Sequence, residues 1–232
     1  MSNQILFAPQ KEGFVSAKRL EGGFVSALEK AALRNLASAT PTWINSDHLT
    51  MMGFLAQCLA GICYGLSRWH RSALLFGILF IALNWLGDSL DGTLARFRNR
   101  QRPRYGFYVD HVADSIAALF LMGGLAFSGY VHPAIAFGML VSFLMLSIEA
   151  YLSTYTLGQF QLTYWKFGPT EIRILLIIGN AALLKHSVIS LFGMHFRLFD
   201  IGGSVAILGM TIMLIVSAIS HTIRLYREET LA

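Results

Sequence analysis

The chain has 232 residues, of which 55% are hydrophobic and 13% are charged, and its mean hydropathy is +0.56. Soluble domains carry about a quarter charged residues, so this composition excludes a disordered chain and disfavours a water-soluble globule. A disulfide scaffold is also excluded, because the two cysteines, Cys58 and Cys63, lie in one apolar run. The class that remains is an integral membrane protein, and its net charge of +5 has to be interpreted from where the basic residues lie.

Residues 1–45 are predicted to form a cytoplasmic leader. They lack the apolar core of a signal peptide, and they carry five basic side chains: Lys11, Lys18, Arg19, Lys30 and Arg34. Apolar side chains approximate a helical stripe at five positions: Phe24, Leu28, Ala31, Ala32 and Leu36. The pattern predicts an N-terminal amphipathic helix in the membrane interface, with a plain solvated leader as an equally open alternative.

Residues 46–232 are predicted to form a membrane domain. A helix needs about 20 largely apolar residues to cross the hydrocarbon core. Six stretches meet that length: Leu49–Ser67, Ser72–Phe97, Phe107–Tyr130, Pro133–Leu157, Pro169–Leu191 and Ile201–Ile223. The alternating pattern of a barrel strand is absent, which favours helices. The expected fold is an all-α integral membrane protein with six transmembrane helices and a short cytoplasmic C-terminal tail.

The distribution of basic residues predicts the orientation of these helices. With both termini cytoplasmic, that side carries the leader cations, the arginines between residues 98 and 104, and three others: Lys166, Arg224 and Arg227. The opposite side keeps four basic residues: Arg68, Arg71, Lys185 and Arg197. Both termini and the loop between the second and third helices are therefore expected in the cytoplasm. This topological role explains the basic excess without a nucleic-acid partner.

Ionised side chains are costly in a bilayer, so those within the spans are functional hypotheses. Six acidic residues lie within or at the ends of the spans: Asp88, Asp91, Asp110, Asp114, Glu149 and Glu171. Asp88 and Asp91 are three residues apart near the end of the second helix. Asp110 and Asp114 are four apart near the start of the third, and each spacing puts a pair on one helical face. A short loop joins the two helices, which predicts antiparallel neighbours with all four carboxylates converging.

Four converging carboxylates repel one another unless positive charge compensates them. Hard divalent cations bound through oxygen do so, which favours Mg²⁺ or Mn²⁺ at a site with room for two ions. The simpler alternative, in which each aspartate pairs with a nearby arginine, is less suited to four acids on two faces. A cation transporter is the alternative from another class, and it predicts polar residues that continue across the membrane.

The residues around the first acidic pair add the features of a diphosphate site. One face of the second helix carries a stripe of four residues: Asn84, Asp88, Asp91 and Ala95. The small residues Gly92 and Ala95 leave room for a ligand, although tight helix packing also explains them. Arg96 offers a planar pair of donors that suits phosphate.

The segment from Asp88 to Asp114 resembles the signature of the CDP-alcohol phosphotransferase (CDP-alcohol phosphatidyltransferase) family, D-x-x-D-G-x-x-A-R, eight or nine residues, then G-x-x-x-D-x-x-x-D. All eight fixed positions are present: Asp88, Asp91, Gly92, Ala95, Arg96, Gly106, Asp110 and Asp114. Upstream, the residues from Asn45 to Thr50 look like a degenerate form of the family's P-N-x-L-T motif. Ser46 and Asp47 replace its proline and asparagine, so this segment receives no assigned role.

The resemblance implies an enzyme of phospholipid biosynthesis that transfers a phospho-linked group from a CDP-linked donor to an alcohol and releases CMP. By similarity, Asp88, Asp91 and Asp110 would hold two metal ions, and Asp114 would bind metal and accept the proton of the acceptor hydroxyl. The cytidine nucleotide site would be lined by four residues: Gly92, Ala95, Arg96 and Gly106. One of the two substrates would be a lipid, and because many relatives are dimers a homodimer is an open possibility.

His111 is a rival for the role of base, because the Asp110–His111 pair is similar to the choline/ethanolamine branch of the family. An imidazole also titrates near neutrality, although a histidine that only orients a ligating carboxylate is the simpler interpretation. Two directions of lipid delivery stay open: CDP-diacylglycerol with a polar alcohol, or a soluble CDP-alcohol with diacylglycerol. Glu149 and Arg173 are expected either to line an acceptor pocket or to form intramembrane ion pairs.

Overall fold

A computed structural model describes residues 18–20, 26–161, 169–191 and 193–229 of the chain. Its seven described helices are α1 (Ser26–Ala39), α2 (Ser46–Leu66), α3 (Ala73–Phe97), α4 (Pro103–Ser128), α5 (Pro133–Leu157), α6 (Pro169–Leu183) and α7 (Leu198–Glu228). Four short strands accompany them: β1 (Lys18–Leu20), β2 (Gln159–Gln161), β3 (Val188–Leu191) and β4 (Met194–Arg197). β1 pairs with β2 in parallel, and β3 pairs with β4 as an antiparallel hairpin. The predicted all-α membrane fold is confirmed.

Five of the described helices are long and apolar enough to cross a membrane: α2, α3, α4, α5 and α7. The predicted span Pro169–Leu191 differs from the structure, because α6 ends at Leu183 after 15 described residues. Lys185 and His186 interrupt the apolar run there, and the β-branched residues that follow favour β3. Gly193 adopts a positive φ of 79° in the turn of the hairpin, which a glycine accommodates without strain.

The helices from α2 to α7 form a ring in which each helix packs on its two neighbours. α2 packs along both α3 and α4, α4 packs on α5, α5 on α7, and α3 on α6, while α6 and α7 close the ring. α3 and α4 were expected to be direct neighbours, and this expectation was wrong: each packs on α2, and they make little direct contact with each other. The physical reason is that glycines on α2 admit both partner helices at backbone distance.

The end of the ring distant from the acidic residues is closed by apolar packing. Its buried core includes Leu74, Leu125 and Leu183, each no more than 2% exposed. Here α4 crosses α2 so closely that a Cβ on Gly124 would overlap the backbone of Gly61. Large apolar side chains are exposed on all five spans, as expected of surfaces that face lipid.

The helix predicted in the leader is present as α1, and it packs on α3. The side chains that it buries are Leu33 and Ala37, whereas Ala31, Ala32 and Leu36 of the predicted stripe are exposed. The stripe's first member, at position 24, lies outside the described residues. That the outer face of α1 rests on the membrane interface stays a prediction.

Candidate functional site

The position of Asp88 is fixed by a close crossing of α2 and α3. A Cβ on Gly87 would lie 2.7 Å from the backbone nitrogen of Gly53, so the two backbones meet where only glycine fits. One turn away, the Asn84 Nδ2 group donates to the Gly53 carbonyl oxygen at 3.1 Å. This crossing holds the backbone of α3 against α2 at the residue that directly precedes Asp88.

Asp88 of α3 meets Asp110 and Asp114 of α4 in a narrow cleft. Carboxylate oxygens of these three residues lie within 4.8 Å of one another, and all three residues are half-buried. α2 forms one wall of the cleft, whose lining comes from nine residues: Thr50, Gly53, Phe54, Asn84, Asp88, Asp91, Asp110, Ala113 and Asp114. α3 and α4 both pack on α2 and make little direct contact with each other. Their acidic side chains therefore face one another across a space that α2 bounds on one side.

Asp91 lines the same cleft but its carboxylate is held apart from the other three. Its Oδ2 atom accepts a hydrogen bond from Thr50 Oγ1 at 2.6 Å, and its Oδ1 atom accepts from the backbone N–H of Gly92. Ser46 Oγ donates to the carbonyl oxygen of Asp91 at 3.1 Å. The first turn of α2, which received no role from the sequence, therefore orients Asp91.

Arg173 of α6 supplies a positive charge to this acidic group. Its Nη2 atom lies 2.8 Å from Asp88 Oδ2, and its Nε–H donates to Asn84 Oδ1 at 2.7 Å. The Arg173 side chain is 13% exposed and that of Asp88 is 25% exposed, so solvent screens the pair only partly. The guanidinium offsets part of the repulsion that three neighbouring carboxylates would otherwise experience.

Glu149 and Arg173, which the sequence left as pocket residues or ion-pair partners, are in two separate pairs. Glu149 Oε1 of α5 lies 2.6 Å from His221 Nδ1 of α7, and both side chains are largely buried. This contact joins two neighbouring helices of the ring. Glu171 lies in the first turn of α6, where an acid interacts favourably with the helix dipole.

His111 occupies an aromatic environment beside the cleft. Its ring centroid lies 4.1 Å from that of Phe107 and 4.8 Å from that of Tyr151. Its Nδ1 atom is 3.7 Å from Asp110 Oδ2, beyond ordinary hydrogen-bond distance. Unlike Asp114, His111 is not among the residues that line the cleft.

The predicted nucleotide-site residues lie next to the acidic cleft along α3 and at the start of α4. Arg96 is exposed and donates to Thr93 Oγ1 at 3.2 Å. A Cβ on Gly92 would lie 3.4 Å from Arg96 Nη1, so the guanidinium extends beside Gly92. A Cβ on Gly106 would meet no atom within 4 Å, and Ala95 is half-buried. The chain next to the acidic residues therefore carries small residues and an exposed guanidinium group.

Two arginines of the basic loop bind the segment that leads into α2. Arg98 donates to the carbonyl oxygens of Thr40 at 2.7 Å and Ile44 at 2.5 Å. Arg102 forms an ion pair with Asp47, whose hydrogen bond raises the pKa of the guanidinium. These contacts add a structural role to residues that the sequence explained by membrane topology alone.

The three clustered carboxylates fit a hard divalent cation. The donor set is entirely oxygen, which Mg²⁺ and Mn²⁺ prefer. Ligand oxygens around one such ion are separated by up to about 4 Å, close to the spread of this cluster. Asp88, Asp110 and Asp114 are therefore the first candidates for metal ligands among the described residues.

Two residues of the site had little or no signal in the sequence. Arg173 was a charged residue in an apolar span, but nothing in the spacing of α6 identified Asp88 as its partner. Thr50 belonged to a motif whose two preceding fixed positions were altered. The last two fixed positions of that motif, Leu49 and Thr50, are retained at the start of the first apolar span, and this is the signal that could have identified Thr50.

A comparison with protein families agrees with these observations. A family model described as CDP-alcohol phosphatidyltransferase matches residues 43–222, which is most of the chain and includes the whole cleft. Among curated proteins there was no match.

Proposed function

The chain belongs to the CDP-alcohol phosphatidyltransferase family, and from that premise we propose that it transfers a phospho-linked group from a CDP-activated donor to an alcohol. The family supports a transferase of phospholipid synthesis, and the apolar helices support an integral membrane protein. The observation that carries the proposal is the convergence of Asp88, Asp110 and Asp114 in one cleft. Such a set suits a reaction in which negative charge on a diphosphate has to be neutralised.

In the proposed reaction, Asp88, Asp91, Asp110 and Asp114 would hold the divalent ions. Bound Mg²⁺ or Mn²⁺, with two ions as the expected number, would neutralise the diphosphate and orient it. Asp114 accepts the proton of the acceptor hydroxyl, whose oxygen bonds to the phosphorus that carries the donor's alcohol group. The phosphoanhydride bond to CMP then breaks, and CMP leaves. The residues of the cleft provide position and charge for this exchange.

Asp114 is preferred over His111 as the base because of position. Asp114 lines the cleft beside Asp88, whereas His111 packs against the rings of Phe107 and Tyr151 and is not among the lining residues. The contacts of His111 suit a residue that holds the start of α4 in place beside Asp110. His111 is the alternative candidate for the base, and mutation of both residues decides between them.

The donor nucleotide is proposed to bind at the mouth of the cleft. Gly92, Ala95 and Gly106 would admit the cytidine nucleotide closely, and Arg96 would donate two parallel hydrogen bonds to a phosphate. The exposed position of Arg96 supports this assignment. We place the mouth and both termini in the cytoplasm, because the basic residues concentrate on that side and the nucleotide is supplied from the cytosol.

A cation transporter is the competing function. It requires polar residues along a path to the far side, whereas buried apolar residues such as Leu74, Leu125 and Leu183 fill that end of the ring. This packing supports the enzyme.

The experiment that tests the proposal is CMP release by the purified chain. CDP-diacylglycerol is supplied with a panel of polar alcohols, and CDP-choline or CDP-ethanolamine is supplied with diacylglycerol, each with Mg²⁺ and with Mn²⁺. CMP release with one donor class supports the proposal and identifies the direction of lipid delivery. No CMP from any pair, together with Mn²⁺ uptake into vesicles that contain the protein, would establish the transporter instead.

A further inference from the structure

Glu29 of α1 makes contacts that the function proposed above does not use. Its Oε1 atom accepts hydrogen bonds from Trp85 Nε1 at 2.9 Å and Ser89 Oγ at 3.2 Å, both on α3. The same atom accepts from Thr170 Oγ1 of α6 at 3.0 Å. One half-buried carboxylate oxygen therefore joins three helices. Glu29 also lies outside the part of the chain that the family comparison covers, which begins at residue 43.

The contacts of Glu29 flank the ion pair that supplies charge to the cleft. Ser89 directly follows Asp88 on α3, and Thr170 precedes Arg173 by one helical turn on α6. Asp88 and Arg173 are the residues through which these helices meet in the cleft. Glu29 therefore connects α3 and α6 beside the point where their charged side chains pair.

The packing of α1 is consistent with an anchoring role for Glu29. Glu29, Leu33 and Ala37 recur every four residues, which puts them on one face of the helix. Leu33 and Ala37 are 5% and 1% exposed against their neighbours. A carboxylate on a mostly apolar face carries a desolvation cost, and charge-assisted hydrogen bonds from several donors offset it. Such a group favours one docked position of α1, because other positions leave the charge without its donors.

We propose that Glu29 is a positioning residue, which docks α1 across α3 and α6 and so holds Arg173 against Asp88. The inference rests on the proposed function only in assigning Asp88 to the metal site. Glu29 touches neither the cleft nor a substrate, and it acts through the spacing of two helices.

The test uses the full chain in detergent with Trp43, Trp69 and Trp165 replaced by Phe, so that Trp85 is the single fluorescent tryptophan. The variants are Glu29→Ala, Glu29→Gln and, as a control on the exposed side of α1, Arg34→Ala. Three quantities are measured: the emission of Trp85, the binding of Mn²⁺ from the electron paramagnetic resonance signal of the free ion, and CMP release against Mn²⁺ and against donor.

Glu29→Ala should shift the emission of Trp85 and displace Arg173 from Asp88. Mn²⁺ binding should then weaken roughly 10-fold, the low end of what loss of a hydrogen bond to a ligating carboxylate costs a metal site. The half-saturating Mn²⁺ concentration for CMP release should rise by the same factor, with an unchanged KM for the donor at saturating Mn²⁺. Glu29→Gln keeps an accepting oxygen and should recover most of the affinity, and Arg34→Ala should match the parent.

Two results would overturn the inference. One is unchanged Mn²⁺ binding in Glu29→Ala, and the other is a loss of maximal rate alone, which indicates a smaller folded fraction and not a misplaced Asp88. If the parent chain binds Mn²⁺ but releases no CMP, the proposed function fails, and fluorescence with Mn²⁺ binding still decides the role of Glu29.

Discussion

The two ends of α2 hold their neighbours by different means. Near Gly61, α2 meets α4 at backbone distance and the surroundings are apolar. Near Gly53, it meets α3 at a less close glycine crossing, and polar groups of α2, α3, α4 and α6 converge beside it. At the first end, close backbone packing between glycines sets the helix spacing. At the second end, a close glycine crossing again sets the helix spacing, and the acidic side chains remain separated by a cleft. The packed helices therefore fix the shape of the cleft, and the side chains in the cleft carry out the proposed reaction.

Asp114→Asn should have the largest effect, because the variant loses turnover while it keeps the fold. Removing a base from the cleft should lower kcat for CMP release about 10³-fold, within the range of general base catalysis. Thermal unfolding in detergent should be close to that of the parent, because the apolar end is untouched. The matched variant is His111→Ala, which should retain more activity. Greater damage from His111→Ala, with activity kept in Asp114→Asn, would reverse the assignment of the base.

The second largest effect should be a loss of stability caused by a substitution at the apolar end of the helix ring. In Gly124→Ala the new Cβ would lie 1.8 Å from the carbonyl oxygen of Gly61, so α4 has to move away from α2. We expect a loss of about 3 kcal/mol in the free energy of unfolding, measured by titration with a denaturing detergent. The neighbouring Gly123→Ala is the control, since its Cβ would meet no atom within 4 Å. Equal stability of the two variants would refute the close crossing.

A smaller effect should distinguish the mouth of the cleft from its interior. Arg96→Lys replaces a planar pair of donors by a point charge, and it should raise the KM for the CDP-linked donor roughly 10-fold with little change in kcat. Arg100→Lys, an exposed position in the same loop, is the control and should leave the KM unchanged. If Arg96→Lys also leaves the KM unchanged, Arg96 does not bind the donor.

The smallest effect should come from the hydrogen bond that orients Asp91. Thr50→Val removes the donor to Asp91 Oδ2 and keeps the shape of the side chain. The half-saturating Mn²⁺ concentration should rise about fivefold, which corresponds to the roughly 1 kcal/mol of one hydrogen bond. Thr156→Val removes a bond to a carbonyl within α5 and should have no such effect. A fivefold change in both variants would indicate a general loss of helix stability.

Local spacing in the sequence predicted the parts of the molecule that depend on one or two helices. The intervals between Asp88 and Asp91 and between Asp110 and Asp114 place each pair on one face, and the apolar runs predicted the five long spans. The spacing did not predict that α3 and α4 each pack on α2 with little contact between them, because that arrangement depends on which glycines meet between helices. The partners of Arg173 and Glu29 were missed for the same reason, since they lie on helices distant in the chain.

The end of α6 and the buried face of α1 were predicted less well. The apolar run from Pro169 to Leu191 combines a helix and a strand, and hydrophobicity alone does not separate them. On α1, small apolar residues occur on more than one face, so periodicity favoured a stripe of which Ala31, Ala32 and Leu36 are exposed in the structure. The packed face of α1 contains Glu29, and the side chains that donate hydrogen bonds to Glu29 lie on α3 and α6.

The central claim is that the cleft between α3 and α4 binds divalent cations through its aspartates. The most direct test is a titration of the purified chain with Mn²⁺ in the presence of CDP, with free Mn²⁺ measured by electron paramagnetic resonance. We predict saturable binding of up to two ions by the parent, and loss of at least one in Asp88→Asn and in Asp114→Asn. Binding by these variants equal to that of the parent, or no saturable binding by the parent, would contradict the account.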